Sequence, residues 1–269
     1  DIVFGDWSSD VCSSDLVLPG LGRGKPVQAV EAGDWWIHPQ SGMGICESGF
    51  WFLRWDMSPL GYLRTAAHGH LDALHLSIWY RGVALVIDPG TGAYYGDRAL
   101  RVRLASRESH NGPCPEGDLG PRRLGPFLWS EHHPVPSWRA MEIEGSRVLR
   151  AELQVEDGVL RRSVRHLTEP EGWEVADEYL RNGVGGRFGV LWQFGPGAVL
   201  RHLEPRRFRV RRGEVEIEVE VGEGWSEVAE VENAVSPGFR QVAMAPGLRL
   251  MSPDKPCVLR TRFLACGGS

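Results

Sequence analysis

Residues Leu74 to Tyr80 read LHLSIWY, and residues Val83 to Ile87 read VALVI, with Arg81-Gly82 between them. In the first run Leu74, Leu76, Ile78 and Tyr80 recur every second position, the period at which an extended chain returns to one face. The second run is apolar throughout and ends at Asp88-Pro89-Gly90, where proline withholds a ladder donor and glycine supplies a turn. Together they predict a β-hairpin.

Short strands punctuated by turns recur on both sides of that hairpin. Arg147 to Val155 and Val159 to His166 flank Asp157-Gly158, a hairpin-turn pair. Trp173 to Leu180 precedes Arg181-Asn182-Gly183, and Val190 to Phe194 precedes Gly195-Pro196-Gly197. Arg207 to Arg211 and Val215 to Val221 alternate around Arg212-Gly213, and Arg260 to Leu264 ends the series. Strands at this spacing, with no amphipathic helix pattern, predict a mainly β chain: one large antiparallel β-sandwich with few or no long helices.

Two stretches fall outside that pattern. Val17 to Gln28 is rich in Gly and Pro and reads as a lead-in, and Gly112 to Pro136 carries six prolines and reads as a long loop. Asp1 to Leu16 (DIVFGDWSSDVCSSDL) repeats Ser-Ser-Asp and lacks any helix or strand period. It is read as a non-native, adapter-derived extension, which leaves residues 17–269 as the domain.

Composition narrows the function classes. The 269 residues carry a formal net charge of -5, which argues against a nucleic-acid partner. Lysine occurs only at Lys25 and Lys255, so arginine supplies almost all the positive charge, and its fork suits carboxylates and sulfates. Five cysteines without a C-x-x-C pair fit neither a disulfide framework nor a zinc finger. No apolar run reaches the length of a membrane span.

The chemistry-bearing residues gather around the hairpin. If the strand extends back from Leu74, then His68, His70 and Asp72 share a face and His75 lies on the opposite one. Asp88 closes the partner strand, and His110 follows in Ser109-His110-Asn111. Two imidazoles and a carboxylate suit zinc, with a fourth position open. Each residue also has an ordinary structural reading, as a hydrogen-bonded histidine or a turn aspartate. Cupins also carry H-x-H on a strand, but they add a Glu where this chain has Ala73 and Leu74.

The block from His68 to Asp97, HGHLDALHLSIWYRGVALVIDPGTGAYYGD, followed by SRESHN at residues 106–111, resembles the C-terminal domain of the heparinase II/III family of polysaccharide lyases. A weaker likeness continues through WEVADEY (Trp173 to Tyr179) and Trp192-Gln193-Phe194. Ala67 and Ser109 depart from that family's usual Gly and Ala, both by small residues.

The resemblance implies a zinc of structural character held by His70, Asp88 and His110. It places His68 in the catalytic cleft beside the substrate carboxylate, and Tyr95 near the substrate. Arg98 and Arg107 then become candidates for binding an acidic glycan of heparin, heparan sulfate or alginate type, cleaved by β-elimination. It further implies an N-terminal α/α-toroid domain in the same protein and a periplasmic or secreted location. The alternatives are a non-catalytic carbohydrate-binding sandwich with a structural metal, a water-activating metalloenzyme using the same three ligands, and a metal-free structural module. Trp35, Trp36, Trp51 and Trp55 are candidate sugar-stacking residues for the first of these. His132-His133 is expected to be exposed.

Overall fold

A computed structural model describes residues 30–32, 35–38, 41–62, 64–117, 120–143, 145–182 and 184–266. The N-terminal extension and the lead-in to Gln28 lie outside the described residues.

In chain order the strands begin with β1 (Val30–Ala32), β2 (Trp35–His38), β3 (Met43–Ser48), β4 (Trp51–Asp56), β5 (Leu76–Tyr80) and β6 (Val83–Val86). A seven-residue helix, α1 (Arg98–Leu104), and a 3-10 turn, Arg107–Ser109, follow before β7 (Cys114–Pro115) and β8 (Ser137–Ile143). Then come β9 (Ser146–Val155), β10 (Gly158–Thr168), β11 (Glu171–Arg181), β12 (Val184–Gly185), β13 (Phe188–Gln193) and β14 (Val199–Glu204). The last are β15 (Arg207–Arg212), β16 (Val215–Val221), β17 (Glu227–Val235), β18 (Ala243–Met251) and β19 (Leu259–Ala265).

The predicted hairpin forms, as β5 and β6, and the strands read from alternation are present within a residue or two of their expected ends. β16 shows why. Val215, Ile217, Val219 and Val221 are buried, and Phe208 and Val210 face Val219 and Ile217 across the β15 ladder. On the outer face Glu218 meets Arg207 at 2.6 Å and Arg209 at 2.8 Å, so polar positions pair as the apolar ones pack.

The described strands make three antiparallel sheets: β1 to β6 in sequence order; β14-β15-β16-β19-β11-β10-β9-β8 with β12 beside β11; and β17-β18-β13-β7. The first and third meet edge to edge, because Ile87 N donates to Gln193 O and Gly195 N donates to Leu85 O. Their joined inner face packs on the nine-stranded sheet. One core therefore contains Leu53, Trp55 and Ile78, Val164 and Trp173, and Trp192 and Leu250. On the other face of the joined layer Phe52, Trp79, Ala84 and Ile87 pack against Val235 and Ala245. β5 is accordingly buried on both faces.

Several sequence expectations change. Trp35, Trp51 and Trp55 are 4%, 2% and 0% exposed and belong to the core, so they present no sugar-stacking platform. β2, β3 and β4 were not read as strands, nor were β8, β14, β17 and β18. The proline-rich loop is partly ordered by β7 and by a bridge between Arg123 and Trp129. His133 is buried, and only His132 is exposed.

Candidate metal centre

The stretch that carries the histidines is a turn, not a strand. β5 begins only at Leu76, and His68 and Leu74 take left-handed backbone angles, with φ of 61° and 72°. The long loop holds this turn in place. His68 N donates to Phe127 O at 2.8 Å, and the buried Trp129 donates from Nε1 to Gly69 O at 2.9 Å. Gly69 must lack a side chain, because a Cβ there would sit 2.6 Å from Gly61 N.

The turn sends its two histidines in different directions. His68 is exposed, and its ring packs against both Phe127 and Tyr94, at centroid distances of 5.1 Å and 5.5 Å, with those two rings 5.1 Å apart. His70 is 4% exposed and faces His110 at 5.5 Å between ring centroids. Tyr95 is 81% exposed and reaches the same aromatic cluster only through Phe127. Tyr94, which the sequence did not single out, is the tyrosine against His68.

His110 is the centre of the buried set. Its Nδ1 lies 3.1 Å from Asp88 Oδ2, and the other Asp88 oxygen accepts from Gly90 N at 2.8 Å. Gly90 can make that turn because it tolerates a φ of 77° and packs its bare Cα on the Ser236 carbonyl. Two triads share His110: His70, Asp72 and His110; and His75, Asp88 and His110, each with its donor atoms within 4.8 Å of one another. His70 and Asp88 thus fall in different triads that meet at His110; Asp72 joins the first, and His75, which sequence reasoning set aside, joins the second. His75 was assigned to the opposite face of a strand. Because the strand starts after it, its Nε2 turns in to stand 4.0 Å from Asp88.

Burial and neighbouring charge set the protonation of this cluster. For Asp88 burial alone would raise the pKa, but the charge and hydrogen bond of His110 outweigh it and hold the carboxyl well below its usual range. His110 is the complement: burial lowers its pKa, and the Asp88 carboxylate more than restores it. Burial, then His110 and Arg101, push His70 well below the ordinary imidazole value. His75 falls to about 3, chiefly by burial. Asp72 rises to about 8, through burial and then the nearby Asp56 carboxylate.

The donors suit a borderline cation such as zinc. His70 Nδ1 and His110 Nε2 are buried and have no hydrogen-bond partner, as open ligand positions would be. One neighbour works against an ion. Arg101, 2% exposed on α1, brings Nη1 to 2.6 Å from His70 Nε2. A metal on Nδ1 would leave the ring proton on Nε2, donor against donor, so the Arg101 side chain must shift when an ion enters.

Arg98 and Arg107 differ sharply. Arg98 is exposed at the start of α1, whereas Arg107 is buried in the 3-10 turn. They line neighbouring recesses that share Ser106 and Glu108. No helix among the described residues is long and apolar enough to cross a membrane.

The family profile described as "Heparinase II/III-like, C-terminal" matches residues 33–252. No curated protein matches the chain in sequence. Among solved structures, heparan sulfate lyase HepC from Pedobacter heparinus is similar with a TM-score of 0.69 at 16% identity, over 88% of this chain and 37% of that one. A heparinase III structure gives 0.68 at 12% identity, over 89% and 38%. The heparinase III BT4657 gene product gives 0.67 at 14%, over 91% and 37%. At these identities the likeness is one of fold, and this chain spans 37% to 38% of the length of those proteins.

Proposed function

Because the chain belongs to the heparinase II/III-like C-terminal family, we propose that it forms the sandwich part of a polysaccharide lyase acting on uronic-acid glycans of heparin, heparan sulfate or alginate type. The reaction is β-elimination. A proton leaves C5 beside the uronate carboxylate, negative charge builds on that carboxylate, and the glycosidic oxygen at C4 departs with a proton.

The observation that carries this reading is the division of the histidine pair, with His68 exposed among aromatic rings and His70 buried against His110. His68 is the group placed to meet the uronate carboxylate and offset its growing charge. The exposed Tyr95 phenol supplies a proton donor or acceptor at the same face, with Tyr94 packed on His68 to hold its ring. Arg98 and Arg107 bind the acidic chain.

His70, Asp88 and His110 are the residues that would hold zinc, with Asp72 and His75 beside them. Bound there, zinc would brace the histidine turn as a structural ion. The other acid–base groups are assigned to an α/α-toroid domain of the same protein, exported to the periplasm or beyond. Without them the 269-residue chain is expected to cleave little, because the proximity term is lost with half the site.

The test is to incubate the complete gene product with heparan sulfate, heparin and alginate and follow the ultraviolet absorbance of unsaturated uronate. Unsaturated ends that vanish in His68→Ala support the reading. New reducing ends with no double bond would make the reaction hydrolysis and overturn it.

A further inference from the structure

A cavity of about 570 Å³ opens beside the buried histidines, bounded by the 3-10 turn, β7, β13 and β18. His68 and Tyr95 do not line it. Its walls include His110, Cys114, Val190 and Met251, together with two arginines, Arg107 and Arg249.

Arg107 is the anomaly in this wall. It is 6% exposed, its Nη1 and Nη2 are both buried, and neither finds a hydrogen-bond partner. The contrast with Arg162 is instructive. Arg162 is 0% exposed and makes five hydrogen bonds, to Asp177, Asn111 and the Leu74 carbonyl. A guanidinium removed from water with no hydrogen bond at either terminal nitrogen is costly; Cys114 and Asp72 offset its burial only by charge, where they are ionised, and an arriving anion would offset it further.

The other charges around the cavity leave room for an anion. Glu108 and Glu116 are exposed, and Glu116 is turned toward Arg187 at 3.3 Å. The Cys114 thiol, pushed up to about 11 by burial, stays neutral at ordinary pH. Arg249 is exposed on the same wall and adds a second positive charge.

We propose that this cavity is an oxyanion subsite in which the Arg107 fork takes one sulfate or carboxylate group, with Arg249 drawing it in. Both edge nitrogens are shut off from water as the side chain stands, so the fork would turn into the cavity to meet two oxygens of either group. That such a group is a substituent of the glycan rests on the lyase reading above; that the cavity takes an oxyanion does not. The recess containing Arg98 adjoins this one, so a chain held by Arg98 can place a neighbouring acidic group in it.

The experiment titrates the chelator-treated 269-residue chain with sodium sulfate, against sodium chloride at equal ionic strength, by calorimetry and thermal unfolding. Chelation removes any anion site that a bound metal would create. The expected result is saturable sulfate binding with a rise in Tm that chloride does not reproduce. Arg107→Met should weaken sulfate by at least about tenfold, the scale of a lost charged hydrogen bond. Without anion this variant should melt no lower than the parent, since it sheds a buried charge whose terminal nitrogens have no hydrogen bonds. Arg107→Lys, which keeps the charge and loses the fork, should bind with intermediate affinity and serves if the methionine variant folds poorly. A sulfated uronate disaccharide, its desulfated counterpart and free sulfate then separate the sources: tighter Arg107-dependent binding of the sulfated sugar assigns the sulfate, and equal binding of both sugars assigns the carboxylate. Equal effects of sulfate and chloride, or unchanged affinity in Arg107→Met, would overturn the proposal. The lyase reading fails independently. Sulfate binding with hydrolytic products would sink that reading alone, and unsaturated products without anion binding would sink the subsite alone.

Discussion

Arg162 donates from Nη1 to Asn111 Oδ1 at 2.9 Å and from Nη2 to the Asn111 carbonyl at 2.6 Å. Arg162 sits on β10 in the nine-stranded sheet, and Asn111 follows His110 directly. The contact therefore fixes the histidine cluster to the opposite layer of the sandwich. Asn111 passes the constraint on, because it accepts from Leu76 N at 2.8 Å and donates to Leu76 O at 2.6 Å, one residue past His75. Asp177 holds the guanidinium from behind at 2.7 Å, and burial raises its own pKa despite that pairing. Arg162→Met should cost about 3–5 kcal/mol, as expected when one member of a buried pair is left alone. Arg162→Met combined with Asp177→Leu should recover a good part of the loss. Urea unfolding of the two variants measures both, and equal stability of single and double variants would refute the pair as the cause.

Zinc binding should separate the residues of the histidine turn. His70→Ala and His110→Ala should each lower zinc affinity steeply, whereas His68→Ala should leave it within about twofold, since its ring faces the aromatic cluster. Arg101→Met should raise affinity by on the order of tenfold, because it removes a like charge held 2.6 Å from His70 Nε2. Competition against a chromophoric chelator ranks the four variants. An Arg101 variant that binds zinc more weakly would mean that Arg101 supports the ion rather than opposing it.

Alternation made about half of the sheet strands legible, missed β8, β14, β17 and β18 besides β2 to β4, and misled at the turn. β16 reads from its valines and isoleucine because one face packs on the core and the other pairs with arginines. β4, WFLRWD, is buried on both faces and shows no period, so it passed as a run of aromatics. The same rule carried too far back from Leu76 put His75 on the wrong side. Left-handed angles at Ala66 and His68 accompany the bonds of Phe127 and Trp129 to this turn, about 60 residues away for the Trp129 bond to Gly69, and that at Leu74 accompanies its N–H bond to Asp56 O; no local spacing reports them. The candidate site residues, and the separation of His68 from His70, were readable through the resemblance; the turn that carries out that separation, and the inward position of His75, were not.

Acid stability should depend on Glu174. This 3% exposed carboxylate lies 2.8 Å from both Arg165 and Arg262. Burial would raise its pKa, but the two arginines outweigh that and hold it below the ordinary glutamate value. A depressed carboxyl stabilises the fold fully above the unfolded-state value, about 4.3, and loses that contribution as pH falls through the lower folded value. Glu174→Gln should therefore lower stability at pH 7 and flatten the decline between about pH 4.3 and the acid transition. Urea midpoints across that window report it, and a parallel decline in both proteins would exclude Glu174 as a source.

Gly69→Ala tests whether the turn between the two histidines is set by close packing. The added methyl would meet Gly61 N at 2.6 Å and the Gly61 Cα and Leu60 Cδ1 at 2.8 Å. Two of those atoms are backbone and cannot swing aside, so the turn must lift from the Gly61 segment. The expected cost is roughly 1–3 kcal/mol, the usual range for overpacking. Because His68 and His70 flank the position, the same displacement should loosen zinc at His70 and weaken glycan contact at His68 together. A Gly69→Ala protein of parental Tm and zinc affinity would show that the segment yields freely and that the glycine is not required for the division of the pair.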